Sequence, residues 1–454
     1  MSKKQIVPFL SIVLAILVIG QPAYISVAFP QGPPQQITTP GGRVIVPPSS
    51  DERPEDRGIR AHTNHLIFVP GRPQVTPGPP AGENPGSLAC IYNIVNPLLN
   101  PGCLKNPSGS YINPTGGSGV IAIVDAYHYQ NAYQDLSTFS SSLTGFGLPV
   151  LPTCNGSSVA TSTNAPCFQQ VSATTSVDCG WNQEAALDIE WAHAMAPGAS
   201  IVLVEAASNS LSDLLAAVDT ASNIAGVKQV SMSWGSSEFR FERNYDFHLN
   251  RSGIAYFASS GDTGGKTIWP GVSPYVVSAG GTRVNRDNSG NFIGESAWSK
   301  ETCGGGPCGG GGGPSRFEPR PPYQDALAIR SIVGSSRGTP DFSFDADPFT
   351  GVAVYGPTCS GTNPSGWMVF GGTSVSAPAL AGIVNLAGHK LGSGSSTSNP
   401  DNYAEQRLLY TSPTNYSSPN PDFRDITSGN TGYAAAPGWD FATGIGSNQG
   451  LNGK

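Results

Sequence analysis

The run Trp367-Met368-Val369-Phe370-Gly371-Gly372-Thr373-Ser374-Val375-Ser376-Ala377-Pro378, followed by Ala379-Leu-Ala-Gly-Ile-Val-Asn-Leu-Ala387, decides how the chain is read. Two glycines allow a tight turn after an apolar strand, and Thr373-Ser374 opens a helix of small residues with Pro378 expected in its first turn, where proline is tolerated. This places a hydroxyl at a helix N-terminus. There, unpaired N–H groups and the positive end of the dipole stabilise negative charge developing beside Ser374. The plainer alternative is that Thr373 or Ser374 is only an N-cap.

Working outward from this stretch, Val120-Ile-Ala-Ile-Val-Asp125, Ser200-Ile-Val-Leu-Val-Glu205, Lys228-Gln-Val-Ser-Met-Ser233, Ile254-Ala-Tyr-Phe-Ala-Ser259 and Tyr275-Val-Val-Ser-Ala279 are short apolar runs. Runs of this kind suit strands covered on both faces. Between them, Asn131 to Leu143 and Trp181 to Met195 read as helices, and Ser210-Leu-Ser-Asp213 reads as a cap for a helix running to about Asn223. The alternation over residues 120–390 predicts an α/β fold with a mostly parallel sheet and helices on both faces, and in such sheets sites form at the carboxyl ends of the strands.

The chain has 454 residues, 38% of them hydrophobic, enough for a large core. With only 12% charged residues and a net charge of −7, there is no basic footprint for nucleic acid. A chain so sparsely charged gains little self-repulsion when acid protonates its carboxylates, which suits acidic surroundings. Residues 1–28 read as a secretory signal: Lys3 and Lys4, an apolar run from Ile6 to Ile19, then Ser26-Val-Ala28. A membrane anchor is the alternative, but the run falls short of the roughly 20 residues that span a bilayer. The expectation is therefore a secreted or periplasmic protein without a stable membrane anchor. Residues 29–85 read as a proline-rich linker or tail in which only His65-Leu-Ile-Phe-Val69 could pair with something, and residues 86–454 as the folded domain.

Eight cysteines in an exported chain should be paired. Proximity suggests Cys90 with Cys103, Cys154 with Cys167 and Cys303 with Cys308, leaving Cys179 and Cys359, among on the order of a hundred pairings that eight cysteines allow.

Glu184 and Asp188 lie four apart on the Trp181–Met195 helix, so two like charges share one face. Two acids on a solvated face are also common. Asp262 sits in a Ser259-Ser-Gly-Asp-Thr-Gly-Gly265 turn, where it could simply form an Asx-turn. Glu190 and His193 read as structural.

Together these pieces resemble the sedolisin family, serine-carboxyl peptidases with a subtilisin-like fold, over about residues 88–450. The resemblance rests on Glu184 with Asp188 before Trp-Ala-His-Ala-Met-Ala-Pro, Ser233-Trp-Gly235, Ser259-Ser-Gly-Asp262, Gly372-Thr-Ser-Val-Ser-Ala-Pro378, and Gly438-Trp-Asp440 followed by Thr443-Gly. It implies a monomeric peptidase acting on polypeptides, with Ser374 as nucleophile, Glu184 as general base, Asp188 orienting Glu184, and Asp262 as the oxyanion-hole acid. It also implies that Ser233, Trp234 and Gly235 bind substrate, and that calcium (Ca2+) is held by the Asp425 and Asp440 carboxylates with the carbonyls of Ile426, Ala436 and Gly438, oxygen donors that suit that ion. The family pattern has glycine where Ala436 stands.

Two other readings compete. An ordinary subtilisin-like protease would use Asp125, at the end of an Ile-Val-Asp strand, but Tyr127-His-Tyr129 follows and no His-Gly-Thr-His motif occurs. A secreted binding protein on a degenerate peptidase fold would not need competent residues at all four catalytic positions.

Overall fold

The apolar runs become strands buried on both faces. In the computed structural model, which describes residues 35–39, 41–71, 82–106, 111–154, 165–299, 308–362, 364–388, 410, 422–452 and 454, all described residues fall within the unit Pro34–Lys454. The expected signal over residues 1–28 and Cys303 lie outside them.

In chain order, the first strands are β1 (Gln35–Thr39), β2 (Gly42–Val46), β3 (His62–Thr63) and β4 (Leu66–Pro70). Then come α1 (Pro85–Ile91), β5 (Val120–Ala126), α2 (Ala132–Ser140), β6 (Phe168–Ser172), α3 (Cys179–Met195), β7 (Ser200–Ala206), α4 (Leu211–Asn223), β8 (Val227–Met232), β9 (Trp234–Ser237), β10 (Ala255–Ser259) and β11 (Ile268–Trp269). The rest comprises β12 (Val276–Arg286), β13 (Phe292–Ala297), β14 (Gly313–Pro319), α5 (Leu327–Val333), β15 (Ser336–Thr339), β16 (Phe342–Asp345), β17 (Val352–Pro357), β18 (Ser365–Gly371), α6 (Thr373–Leu386), β19 (Phe423–Arg424) and β20 (Ser447–Asn448).

The central sheet runs β6-β7-β5-β8-β10-β12-β16 with every neighbouring pair parallel, as the strand–helix alternation predicts. The period of two then sorts side chains into two cores. From β5, Ile121 and Ile123 join Ala185, Ile189, Leu380 and Val384 of α3 and α6. Val120, Ala122 and Val124 face the other way, onto Leu214, Leu215 and Val218 of α4. Burying each such side chain stabilises the fold by about 1.5–3 kcal/mol. The α4 cap forms as read, with Ser210 Oγ accepting from the Asp213 N–H at 3.2 Å.

Helices α3 and α6 pack closely because small residues line their contact: a Cβ on Gly382 would lie 2.7 Å from Met195 Cβ. Pro378 corrects one expectation. It sits in the second turn of α6 and not in the first, so the Ser374 carbonyl lacks its usual helical donor. The Ser233 hydroxyl lies 3.2 Å from that carbonyl instead.

Within the stretch read from the sequence as a linker or tail, β1 to β4 form instead. β1, β2 and β4 extend a five-stranded sheet in the order β1-β2-β4-β18-β17, and β3 joins β9. The pairings Cys90–Cys103, Cys154–Cys167 and Cys179–Cys359 are present, and Cys308 is also disulfide-bonded.

Four carboxyl side chains, Glu238, Glu242, Asp246 and Glu318, are gathered in the interior with little exposure. Burial, and secondarily the charge of Glu238, pushes Glu242 up to about 10, while burial raises Glu318 to about 8 and Asp246 to about 6. At pH between their unfolded and raised values, Glu242, Glu318 and Asp246 keep their protons in the folded chain and lose them on unfolding. Their contribution is therefore complete below the unfolded value of about 4.3 and is lost as pH climbs through about 6, 8 and 10. We expect the urea midpoint to fall from acid toward mild alkali by a few kcal/mol of stability, and Glu242→Gln to flatten the decline. A parent midpoint that rises over that range, or a Gln variant with an unchanged slope, would contradict this.

Candidate active site

Three chain segments meet at the carboxyl end of the central sheet. Helix α3 carries Glu184 and Asp188 one turn apart, both fully buried. The turn after β10 carries Asp262, and α6 opens with Thr373-Ser374 directly after β18.

Gly372 makes the junction possible. Its φ is +100°, and a Cβ there would come 2.2 Å from the Asn64 carbonyl oxygen and 2.5 Å from Asp262 Oδ2. Those two oxygens thus face one small space beside the start of the helix. Asp262 Oδ1 accepts from the Thr373 N–H at 2.7 Å and the Thr373 hydroxyl at 2.9 Å, while buried Oδ2 has no donor. Burial holds the Asp262 carboxyl well above the usual carboxylate range; the two Thr373 bonds act against this and the Glu184 charge adds to it.

Asp188 Oδ1 accepts from the Ser233 hydroxyl at 2.8 Å. Its other oxygen and Glu184 Oε1 are buried without a hydrogen-bond partner. Burial pushes Asp188 well up, reinforced by the charges of Asp125 and Glu184. Asp125 itself, at the end of β5, is buried and raised in the same way, and neither of its oxygens has a hydrogen-bond partner. Among the described residues no imidazole engages it as an ordinary subtilisin-type triad would require.

Ser374 Oγ donates to the Ser233 carbonyl at 3.2 Å and accepts from the Asn64 N–H at 3.1 Å, and the Ser374 N–H donates to the Asn64 carbonyl at 3.0 Å. The Ser233-Trp234-Gly235 segment forms one wall. The Trp234 indole points inward, donating to the Val124 carbonyl at 2.8 Å, so this wall offers mainly backbone.

The sequence reading missed Asn64 and His65. His65 Nδ1 lies 2.8 Å from Glu184 Oε2, and its ring stacks on Phe370 with centroids 5.2 Å apart. The only signal was a histidine heading the apolar piece in the presumed linker. Glu190 and His193 are structural as expected, Glu190 accepting from the Tyr355 N–H and His193 meeting the Pro149 carbonyl.

At the proposed calcium locus, Asp440 accepts from the N–H groups of Ala436, Ala442 and Thr443, and Asp425 from that of Gly438. Both carboxylates thus converge on the 436–438 turn; the carbonyls of Ala436 and Gly438 there, with that of Ile426, would complete the all-oxygen set the resemblance implies. Among the described residues no group of three or more His, Cys, Asp or Glu side chains could hold a metal. The implied set draws only two of its five donors from side chains, so its donor chemistry still fits a hard cation.

No family model matches the chain. It is 35% identical over 305 residues to kumamolisin of Bacillus sp. (strain MN-32), covering 60% of this chain and 50% of that protein. It is also 30% identical over 254 residues to sedolisin of Pseudomonas sp. (strain 101), 50% of this chain and 39% of the relative. The chain thus spans half or less of these curated relatives. Its fold matches the solved structure of Pseudomonas sedolisin, a serine-carboxyl proteinase, with TM-score 0.58 at 23% identity over 81% of this chain and 95% of that one. The chain thus has the fold of Pseudomonas sedolisin and is similar in sequence to kumamolisin and sedolisin over half or less of their lengths.

Proposed function

We propose that the chain is an exported serine-carboxyl endopeptidase that hydrolyses polypeptides in acid. The observation that supports this most is that three buried carboxyls, Glu184, Asp188 and Asp262, surround one serine at a helix N-terminus. In this reading Ser374 attacks the scissile carbonyl, Glu184 takes the serine proton, and Asp188 orients Glu184 and shares its proton. Asp262, kept neutral, donates to the oxyanion together with the Ser374 N–H. A histidine base, near 6.5 when unperturbed, would be almost wholly protonated in strong acid, whereas a glutamate near 4.3 coupled to a second carboxyl can still accept a proton there. Ser233, Trp234 and Gly235 bind substrate backbone along one wall.

The test is peptide release from casein by the purified full chain, pre-incubated in acid and assayed from acid to neutral pH. An acid optimum is expected. An optimum at or above neutrality would reopen the search for a histidine base.

Calcium belongs to the same proposal. Bound by Asp425 and Asp440 with the Ile426, Ala436 and Gly438 carbonyls, it would tie the C-terminal turns to the domain and stabilise the native state by mass action, about 2.7 kcal/mol at a hundredfold excess over Kd. Added calcium should therefore raise Tm and chelator lower it, with Asp440→Asn abolishing the difference. A Tm indifferent to both would remove calcium from the account.

A further inference from the structure

We propose that Ile268 floors the pocket for the residue whose carbonyl Ser374 attacks, so that bonds are cut after short side chains (glycine, alanine, serine, asparagine) and not after aromatic, leucine, lysine or arginine ones. The inference rests on the peptidase reading above and adds the class of bond that is cut.

The place of the reacting carbonyl fixes where its side chain must go. In the proposed mechanism the oxyanion donors are the Ser374 N–H and Asp262, and both face the space now held by the Asn64 carbonyl oxygen. Two segments flank that space, Ser233-Trp234-Gly235 leading into β9 and Ser259-Ser-Gly-Asp262 leaving β10. A side chain carried by a carbonyl at this place is directed toward the second segment: the Asn64 amide donates to Ser259 Oγ at 2.8 Å.

Both segments are bare where they face each other. Gly235 and Gly261 carry no side chains, and the end of Ile268 lies between them: a Cβ on Gly235 would come 2.5 Å from Ile268 Cδ1, and one on Gly261 3.3 Å from the same atom. A slot between two glycine backbones admits a flat ring if nothing stands in it. Here a ring or a long chain must first displace Ile268, which is only 7% exposed. Its retreat is blocked from behind. In the β11–β9 ladder Ile268 pairs with Ser237 and Trp269 with Ser236, and the Trp269 ring packs against Phe239 and Tyr245 with centroids 5.9 and 6.0 Å away. The opposite wall is fixed as well, the Gly261 carbonyl accepting from the Gly311 N–H at 2.7 Å and its N–H donating to the Thr373 hydroxyl at 3.1 Å. Overpacking a slot held on both sides is costly, so the pocket selects by size. What is left is a shallow recess with an apolar floor and the Ser259 hydroxyl on its wall. It suits a short side chain and offers an acceptor to an amide.

The experiment digests casein and a synthetic peptide library in acid with the purified full chain and locates each cut by mass spectrometry. Glycine, alanine, serine and asparagine should precede the cuts, and phenylalanine, tyrosine, leucine, lysine and arginine should be depleted there. Ile268→Ala should open the slot: kcat/KM for a peptide with phenylalanine before the cut should rise about ten- to a hundredfold relative to its alanine counterpart, the range that methylene-sized changes confer in an apolar pocket. Ser259→Ala should leave the size limit in place but lower asparagine against alanine by about three- to tenfold, as for one neutral hydrogen bond. If Ile268→Ala fails to fold, the parent's own cut positions decide. A parent that cuts freely after phenylalanine or leucine, or a folded, active Ile268→Ala variant with the parent's cut pattern, overturns the inference and leaves the peptidase reading standing. An unchanged asparagine-to-alanine ratio in Ser259→Ala overturns the part given to that hydroxyl. If the parent hydrolyses nothing in acid, the peptidase reading falls, and this inference with it.

Discussion

Ser374→Ala is expected to lose about 10^4-fold or more of the casein-hydrolysing activity while melting close to the parent. The loss follows from chemistry: without the hydroxyl no acyl-enzyme forms, and only the oxyanion donors and substrate binding remain. The small effect on stability follows from what the hydroxyl touches. Its donor bond to the Ser233 carbonyl and its acceptor bond from the Asn64 N–H both disappear, yet that N–H still reaches the Ser233 carbonyl at 3.2 Å. No buried donor is orphaned, and a neutral hydrogen bond contributes only about 1 kcal/mol. The measurement pairs initial rates with thermal unfolding. Undiminished turnover in a folded Ala variant would end the serine mechanism.

The second large effect concerns Asp262. Burial raises its carboxyl, so in the proposed mechanism it holds its proton in acid, ready to donate, and is lost as a donor when pH rises through its folded value. Above that point a negative charge stands where the oxyanion must form, and activity falls. In Asp262→Asn the side-chain oxygen can keep both bonds from Thr373, leaving the amide nitrogen at the position of Oδ2, toward the carbonyl site beside Gly372. The variant carries a neutral donor at every pH. Its kcat/KM profile should therefore keep the acid limb, while the alkaline limb moves upward. Asp262→Ala, with no donor, should lose about 10^2- to 10^3-fold across the profile. An Asn variant whose alkaline limb coincides with the parent's would remove Asp262 from the oxyanion account.

Much of this was legible in the sequence because the relevant signals are local. A strand covered on both faces must be apolar throughout, so Val120–Val124 and Ile201–Val204 announce the parallel sheet, and Ser210 marks its helix by its own cap. Glu184 and Asp188 are joined by helical spacing alone. What stayed hidden depends on partners far along the chain. Residues 35–70 contain too many prolines and polar groups to suggest strands. The strands within them form because β4 finds the edge of β18 and β3 the edge of β9. His65 likewise has no meaning until folding brings it to Glu184, 119 positions away. The position of Pro378 went astray for a tertiary reason as well, since the carbonyl it leaves free is met by Ser233, on the strand connection across the cleft.

The cleft is walled by β9 on one side and β18 on the other, their facing edges taken in this structure by β3 and β4, with the Trp234 indole turned inward. A groove of that kind grips main chain in preference to side chains. Only a polypeptide already stretched out can lie in it, and a folded protein offers few such segments. Acid can supply them by unfolding proteins whose native carboxylates must stay ionised. Selection by the proposed peptidase would then act less on sequence than on whether the prey survives the medium. A protein whose own buried acids favour the protonated state would outlast what it digests.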